Sequence, residues 1–276
     1  MPWHARLSLD YQRHGERTVL QHSHDGPLRI FKSLYPEGDA VCHNVIVHPP
    51  GGLVGGDVLD IGVQVGAGAH ALVSTPGATR FYASDEAFAT QQVRLQLDAG
   101  ARLEWLPLET IAYPGCRADN RWSATLAEGA ELMAWDVTAL GLPGAAQPYE
   151  QGEFRQRLEI PGCWLEQARI AAHDRRLLDS PLGLGGHRCL GTLVFATGGP
   201  LARERREHLL EVAREALQQA PAGVVAGTTC PNDRVLAVRA VAPLVEPLMA
   251  GLQAVWAALR PAAWGLPGDA PRIWRV

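Results

Sequence analysis

The sequence predicts a mostly β protein: a layered, β-helix-like core of stacked strand units, with two C-terminal α-helices packed on one side. Three observations point there. A strand–glycine–strand pattern repeats through the middle of the chain. Glycine (29) and proline (20) are abundant without a collagen-like period, as many turns between short elements require. Helical periodicity is confined to the last third.

The repeat aligns on Gly68, Gly100 and Gly129, each followed by alanine. Apolar residues alternate before them: Ile61, Val63 and Val65; Val93, Leu95 and Leu97; Trp122, Ala124 and Leu126. The period of two resumes after them: Ala69, Ala71 and Val73; Ala101, Leu103 and Trp105; Ala130, Leu132 and Ala134. Alternation on both sides of a glycine reads as two half-buried strands joined tightly, the glycine supplying backbone freedom. The units lie 32 and 29 residues apart, a spacing that suits stacked layers over residues 60 to 140. The alternative is an ordinary antiparallel meander.

In "LARERREHLLEVAREALQQA", Leu209, Val212, Ala213, Ala216 and Leu217 share one helical face. A second helix runs through "PLMAGLQAVWAALR", with Leu248, Leu252, Val255, Trp256 and Leu259 on one side. Pro247 suits its first turn, and Pro261 is expected to stop it. "RVLAVRAVA" between them reads as a strand. No proline-rich or charged linker divides residues 1–276, which form one domain.

Composition excludes several functions. A net charge of −4 with no basic stripe argues against nucleic-acid binding. No apolar run reaches the roughly 20 residues of a membrane span, and the N-terminus lacks the apolar segment of a secretory signal. Five scattered cysteines without a C-x-x-C pair fit a reducing cytosol better than a disulfide framework. Lys32, the one lysine, follows no glycine-rich loop. "HPPGGLVGGD", residues 48–57, spaces Gly51 and Gly56 as a phosphate loop does, but Asp57 stands where lysine is needed, so the stretch reads as a bend between strands. "GAGAHA" fits a dinucleotide fingerprint in form, yet no helix can follow it across Pro76. There is no G-x-S-x-G elbow.

Metal chemistry stays open. His43 and His48 lie near Cys42 and Asp57; His187 and Cys189 are two apart; "HSHD" supplies His22, His24 and Asp25. Imidazole and thiolate suit nickel or zinc, but none shows the paired spacing of a structural zinc site. Carboxylates sit in apolar contexts at Glu104, Glu109, Asp136 and Glu166. Strand alternation turns Glu104 and Glu131 toward solvent; others pair with arginines such as Arg169 or Arg80, or form an internal line that passes a divalent cation along. Trp256 reads as core. Trp264 and Trp274 read as exposed interface residues, with tail packing onto the core as the alternative.

"HPPGGLVGGDVLDIGVQVGAGAHALVSTPGATRFYAS" resembles the signature region of the UreD family of urease accessory proteins, also called UreH. "GPLRIFKSLYPEG", "LPLETIAYPG", "FRQRLEI", "VWAALRP" and "PRIWRV" extend the resemblance over nearly the whole chain. It implies a mostly β fold with two helices and a cytoplasmic, non-catalytic scaffold in urease maturation. That scaffold binds UreF, which recruits the GTPase UreG, and the assembly docks on apo-urease. Nickel is implied as a transient, transferred ion, with an internal channel proposed for the family. The candidate nickel contacts in this chain are Asp57, His48, Asp136 and Glu166. Gln167 stands where arginine is common in the family, which puts any ion pair of Glu166 in doubt. An apolar patch made for a partner would leave the protein insoluble alone. The other readings are a carbohydrate-active β-helix enzyme using paired carboxylates such as Asp136 or Glu109, and a nickel store, against which the lack of a His-rich tract counts.

Overall fold

The structure, a computed structural model, describes residues 2–85 and 87–275. The chain opens with β1 (His4–His14), β2 (Arg17–Asp25), β3 (Arg29–Ile30) and β4 (Val41–Val47). Three repeating coils follow: β5 (Val58–Val65), β6 (His70–Ser74) and β7 (Thr79–Phe81); β8 (Ala89–Leu97), β9 (Arg102–Leu106) and β10 (Thr110–Ala112); β11 (Arg117–Leu126) and β12 (Glu131–Leu142). Then come β13 (Gln147–Pro148), β14 (Glu153–Ile160), β15 (Trp164–Ala171), the short helix α1 (Arg175–Asp179) and β16 (Cys189–Thr197). The chain closes with α2 (Arg203–Gln218), β17 (Val225–Thr229), β18 (Val235–Ala242) and α3 (Val245–Trp264).

Each coil places one strand in the first of two facing sheets and one on the main path of the second, while β7 and β10 pair beside β12 off that path. The first sheet runs β15-β14-β11-β8-β5-β1-β2, the second β17-β18-β16-β12-β9-β6-β4-β3. Pairing between coils is parallel, and its register is the spacing of the repeat. Ile61 pairs with Val93 and Val93 with Trp122 in the first sheet. Ala71 pairs with Leu103 and Leu103 with Leu132 in the second. Parallel partners exclude the meander, whose neighbours would be antiparallel. The turn glycines take φ +67°, +66° and +73° at Gly68, Gly100 and Gly129, a region closed to most side chains. Their turns stack, Gly68 N–H donating to Ala99 O and Gly100 N–H to Glu128 O.

Two cores result. One fills the space between the sheets, built from Ile61, Val93, Leu103, Trp122, Leu132 and Phe154 among others. The second lies between the outer face of the second sheet and the helices, with Trp135, Phe195, Leu209, Leu252 and Trp256. This second layer corrects the alternation reading. Glu104 and Glu131 do point away from the inter-sheet core, but α3 covers that face, so both are buried rather than solvated. Pro261 does not stop α3. The helix runs one more turn to Trp264 and ends at Gly265, φ +67°, whose N–H bonds Pro261 O. A helical proline removes one N–H bond, and near a C-terminus the last turn still closes. Trp264 and Trp274 are also not exposed interface residues. Trp264 is buried, and the tail folds back so that Trp274 lies 5.1 Å from the Trp135 and Trp256 rings and donates to Ser74 Oγ at 2.9 Å.

Candidate functional site

Inward-facing positions of a β sandwich should be apolar, because an unpaired polar group there costs about 1–3 kcal/mol. One level of the inter-sheet core breaks that rule. On the first sheet Gln91, Asn120 and Gln156 are in register across β8, β11 and β14. On the second, Asp136, Thr192 and Arg239 are in register across β12, β16 and β18. The two rows face and bond each other. Gln91 Nε2 donates to Asn120 Oδ1 at 3.1 Å, and Asn120 Nδ2 to Asp136 Oδ2 at 2.8 Å. Gln156 Nε2 donates to Asp136 Oδ1 at 2.7 Å, with Thr138 Oγ1 at 3.3 Å. At the far edge Thr192 Oγ1 donates to Glu166 Oε1 at 2.6 Å, and Glu166 pairs with Arg239.

Every donor to Asp136 is neutral. Burial pushes its carboxyl above the usual range; the amides and Thr138 pull it back only in part, and the charge of Glu166 adds to the rise. Gln91 also lines a cavity of about 210 Å³ between the sheets, together with His48, Thr75, Arg80 and Trp105. The polar row thus runs from that cavity through Asp136 to Glu166 and Arg239 at the opposite strand edge.

The four candidate contacts divide into two pairs. Asp136 and Glu166 lie together in the row, and the absent arginine at Gln167 is replaced by Arg239 from another sheet. His48 and Asp57 bracket the bend at the cavity. Asp57 is buried and caps its own turn, accepting from Val54 N at 3.0 Å and Trp3 N at 3.2 Å. His48 lies 5.0 Å from the Trp3 ring and leaves Nε2 buried without a partner. Burial pushes its pKa down, against the pull of Asp57. Three members of the other clusters are otherwise occupied. His43 lies 2.6 Å from Glu37, Cys42 bonds Asn44, and Cys189 is buried against Pro243 O. Among the described residues no three of His, Cys, Asp and Glu converge as metal ligands. Arg169 pairs with Glu153, and Arg80 has no partner among the described residues.

Sequence reasoning missed Gln91, Asn120, Gln156, Thr192 and Arg239. A signal was present: two residues before Val93 and Trp122, at the step where Leu59 sits in the first coil, the repeat carries Gln91 and Asn120 instead of an apolar residue.

A second buried charged group lies across the same sheet, beneath α3. Glu104 accepts from Trp256 Nε1 at 2.7 Å and Arg260 Nε at 3.1 Å, with His70 Nε2 at 2.9 Å. Arg260 is fully buried and also holds Glu37 Oε1 at 2.8 Å. Burial alone would raise Glu104, but His70 and Arg260 outweigh it and hold the carboxyl low. Glu37 is likewise held at about 2, burial being outweighed by hydrogen bonds from His43 and Arg260.

Fold and site define a solenoid-like β scaffold with hydrogen-bonded carboxylates enclosed between its sheets. Asp136 is enclosed between the sheets and held by three donors, whereas a glycosidase needs two carboxyl groups facing a groove open to the sugar. The UreD urease accessory protein family model matches residues 4–275. Full-length similarity agrees: the chain is 59% identical over 276 residues to the urease accessory protein UreD of Albidiferax ferrireducens and 57% to that of Polaromonas naphthalenivorans, covering 100% of each chain. It is 50% identical to the UreD of Leptothrix cholodnii, again over 100% of both. The chain belongs to the UreD family, and its role is in urease maturation. Among the described residues no helix is long and apolar enough to cross a membrane.

Proposed function

We propose that the protein is a non-catalytic scaffold that helps load nickel into apo-urease, acting in the cytoplasm with UreF and, through UreF, with the GTPase UreG. Nickel is its cargo, and the route is the polar row between the sheets. The observation behind this reading is Asp136: a buried carboxylate held only by neutral donors, in line with Glu166 and with a cavity lined by His48. Oxygen and imidazole donors suit a borderline divalent ion. Among the described residues fewer than three ligands converge, which favours passage over retention. A carboxyl with a raised pKa gives up its proton when a cation arrives, so transfer slows as pH falls. The apolar side chains exposed at Phe31, Leu34 and Val54 are surface that UreF or apo-urease would cover, and they support the expected insolubility of the chain alone. The free cysteines suit a reducing compartment.

The test is co-expression of urease with its accessory proteins and either the wild-type chain or Asp136→Asn, with nickel per urease read by elemental analysis. The variant is expected to assemble with UreF and yet deliver less nickel. Full loading with Asp136→Asn would remove the route; full loading without the chain at all would remove the scaffold.

A further inference from the structure

Along their main strand orders the two sheets present four outer strands. An outer strand offers a row of unpaired N–H and C=O groups, and proteins guard it with charge, proline, bulges or brevity. Three of the four are guarded. β2 carries Arg17, His22, His24 and Asp25; β15 carries Glu166 and Arg169; β3 is two residues long and leads to Lys32 and Pro36. β17 is not. Its sequence is Val225-Ala226-Gly227-Thr228-Thr229, without charge or proline, and it pairs with β18 in unbroken register from Val225↔Val241 to Thr229↔Ala237. All its residues but Thr228 are exposed, Val225 by 62%. Thr228 has its hydroxyl buried without a partner.

Three arginines stand beside this edge, and two of them already have an acidic partner. Ala226 and Thr228 sit in register with Ala240 and Val238, on the face toward the helices. There Arg206 has no acidic partner among the described residues, and Arg214 has only Glu211 at 3.7 Å. Burial pushes up the thiol of Cys230, the residue after β17, and both arginines pull against that rise. On the other face Gly227 is in register with Arg239, whose charge is taken by Glu166, which leaves Arg206 and Arg214 as the charges open to a partner.

We propose that β17 is a strand-addition site, which takes an extended segment of a partner protein carrying acidic side chains on its helix-facing positions. Main-chain hydrogen bonds would extend the second sheet by one strand, with Arg206 and Arg214 selecting the acidic partner. A second copy of this chain is the poorer occupant, because pairing two β17 strands brings both copies' Arg206 and Arg214 to one seam.

The test uses the full-length chain and two labelled octapeptides, alternating glutamate–valine and alternating lysine–valine, read by fluorescence anisotropy and by amide hydrogen exchange. The glutamate peptide is expected to bind, slow exchange over residues 225–229 and weaken with salt. The lysine peptide should bind about tenfold less tightly or worse. Ala226→Asp, an exposed change that places a guard charge on the edge, should abolish binding, and Arg206→Glu should reverse the preference. Equal binding of both peptides, no binding of either, or protection outside β17 would overturn the proposal. So would a β17-protected dimer without peptide, which would assign the edge to a second copy.

Discussion

The two faces of the second sheet each bury a carboxylate, and the two are held in opposite ways. Asp136, on the face toward the first sheet, is held by Asn120, Gln156 and Thr138, all neutral, and its pKa is raised. Glu104, on the face toward α3, is held by His70, Arg260 and Trp256, and its pKa is lowered. A carboxylate paired with arginine is already neutralised and locks elements together. A carboxylate held by amides keeps an unmet attraction for positive charge. Arg260 ties α3 to Glu104 on β9 and to Glu37 on the segment between β3 and β4, which makes that cluster structural. The same sheet thus carries an ionic fastening on one face and a carboxylate held by neutral donors on the other.

The largest effect should come from breaking the fastening. Arg260→Met leaves the buried Glu104 and the partly buried Glu37 without their common cation, and removing one member of a buried pair costs about 3–5 kcal/mol. Urea or thermal unfolding would read it. A loss no larger than that of a surface pair would erase the distinction between the faces. Asp136→Asn should cost only about 1 kcal/mol, because the neighbouring amides can turn to meet an amide as they met a carboxylate.

The pH dependence sharpens the comparison, because the two shifts have opposite signs. Glu104 is depressed below its unfolded value, so its stabilisation is present above the unfolded pKa and is lost as pH falls through the folded one; Glu37, held at about 2, follows the same sign. Asp136 is raised, so it penalises folding above its folded pKa, and the penalty fades as pH falls toward its unfolded value. Unfolding free energies of wild type and Asp136→Asn, measured from neutral to mildly acidic pH, should therefore shift in favour of wild type as pH drops. Parallel curves would mean that Asp136 is not raised.

The smallest effect sets the baseline. Arg94 and Asp60 form a 2.6 Å pair on the outer face of the first sheet, with Arg94 half exposed. Arg94→Ala should cost no more than about 1 kcal/mol, since solvent screens such pairs. A larger loss would show that this open face is less solvated than its exposure indicates.

The coils were legible because stacking parallel strands forces equal spacing on residues that share a layer. The offsets of 32 and 29 residues between Ile61, Val93 and Trp122 are the sheet register itself. The helices were legible from their apolar faces. The candidate residues were half legible: Asp136 and Glu166 stood out as acids in apolar runs, and both lie beside Thr192, Asp136 in strand register and Glu166 through a hydrogen bond. Arg239, the partner of Glu166, lies 73 residues further on and enters from a strand that no local pattern ties to β15.

By itself the sequence determined which side of each strand a residue faces, how the coils stack and which family the chain joins. Tertiary structure alone decided what covers each face. Alternation has period two whether the second face meets water or a helix, so Glu104 and Glu131 read alike in either case. Only the return of α3 and the C-terminal tail over the second sheet turned those exposed positions into a buried ionic layer. The facing of two sheets likewise brought separate polar residues together in one layer.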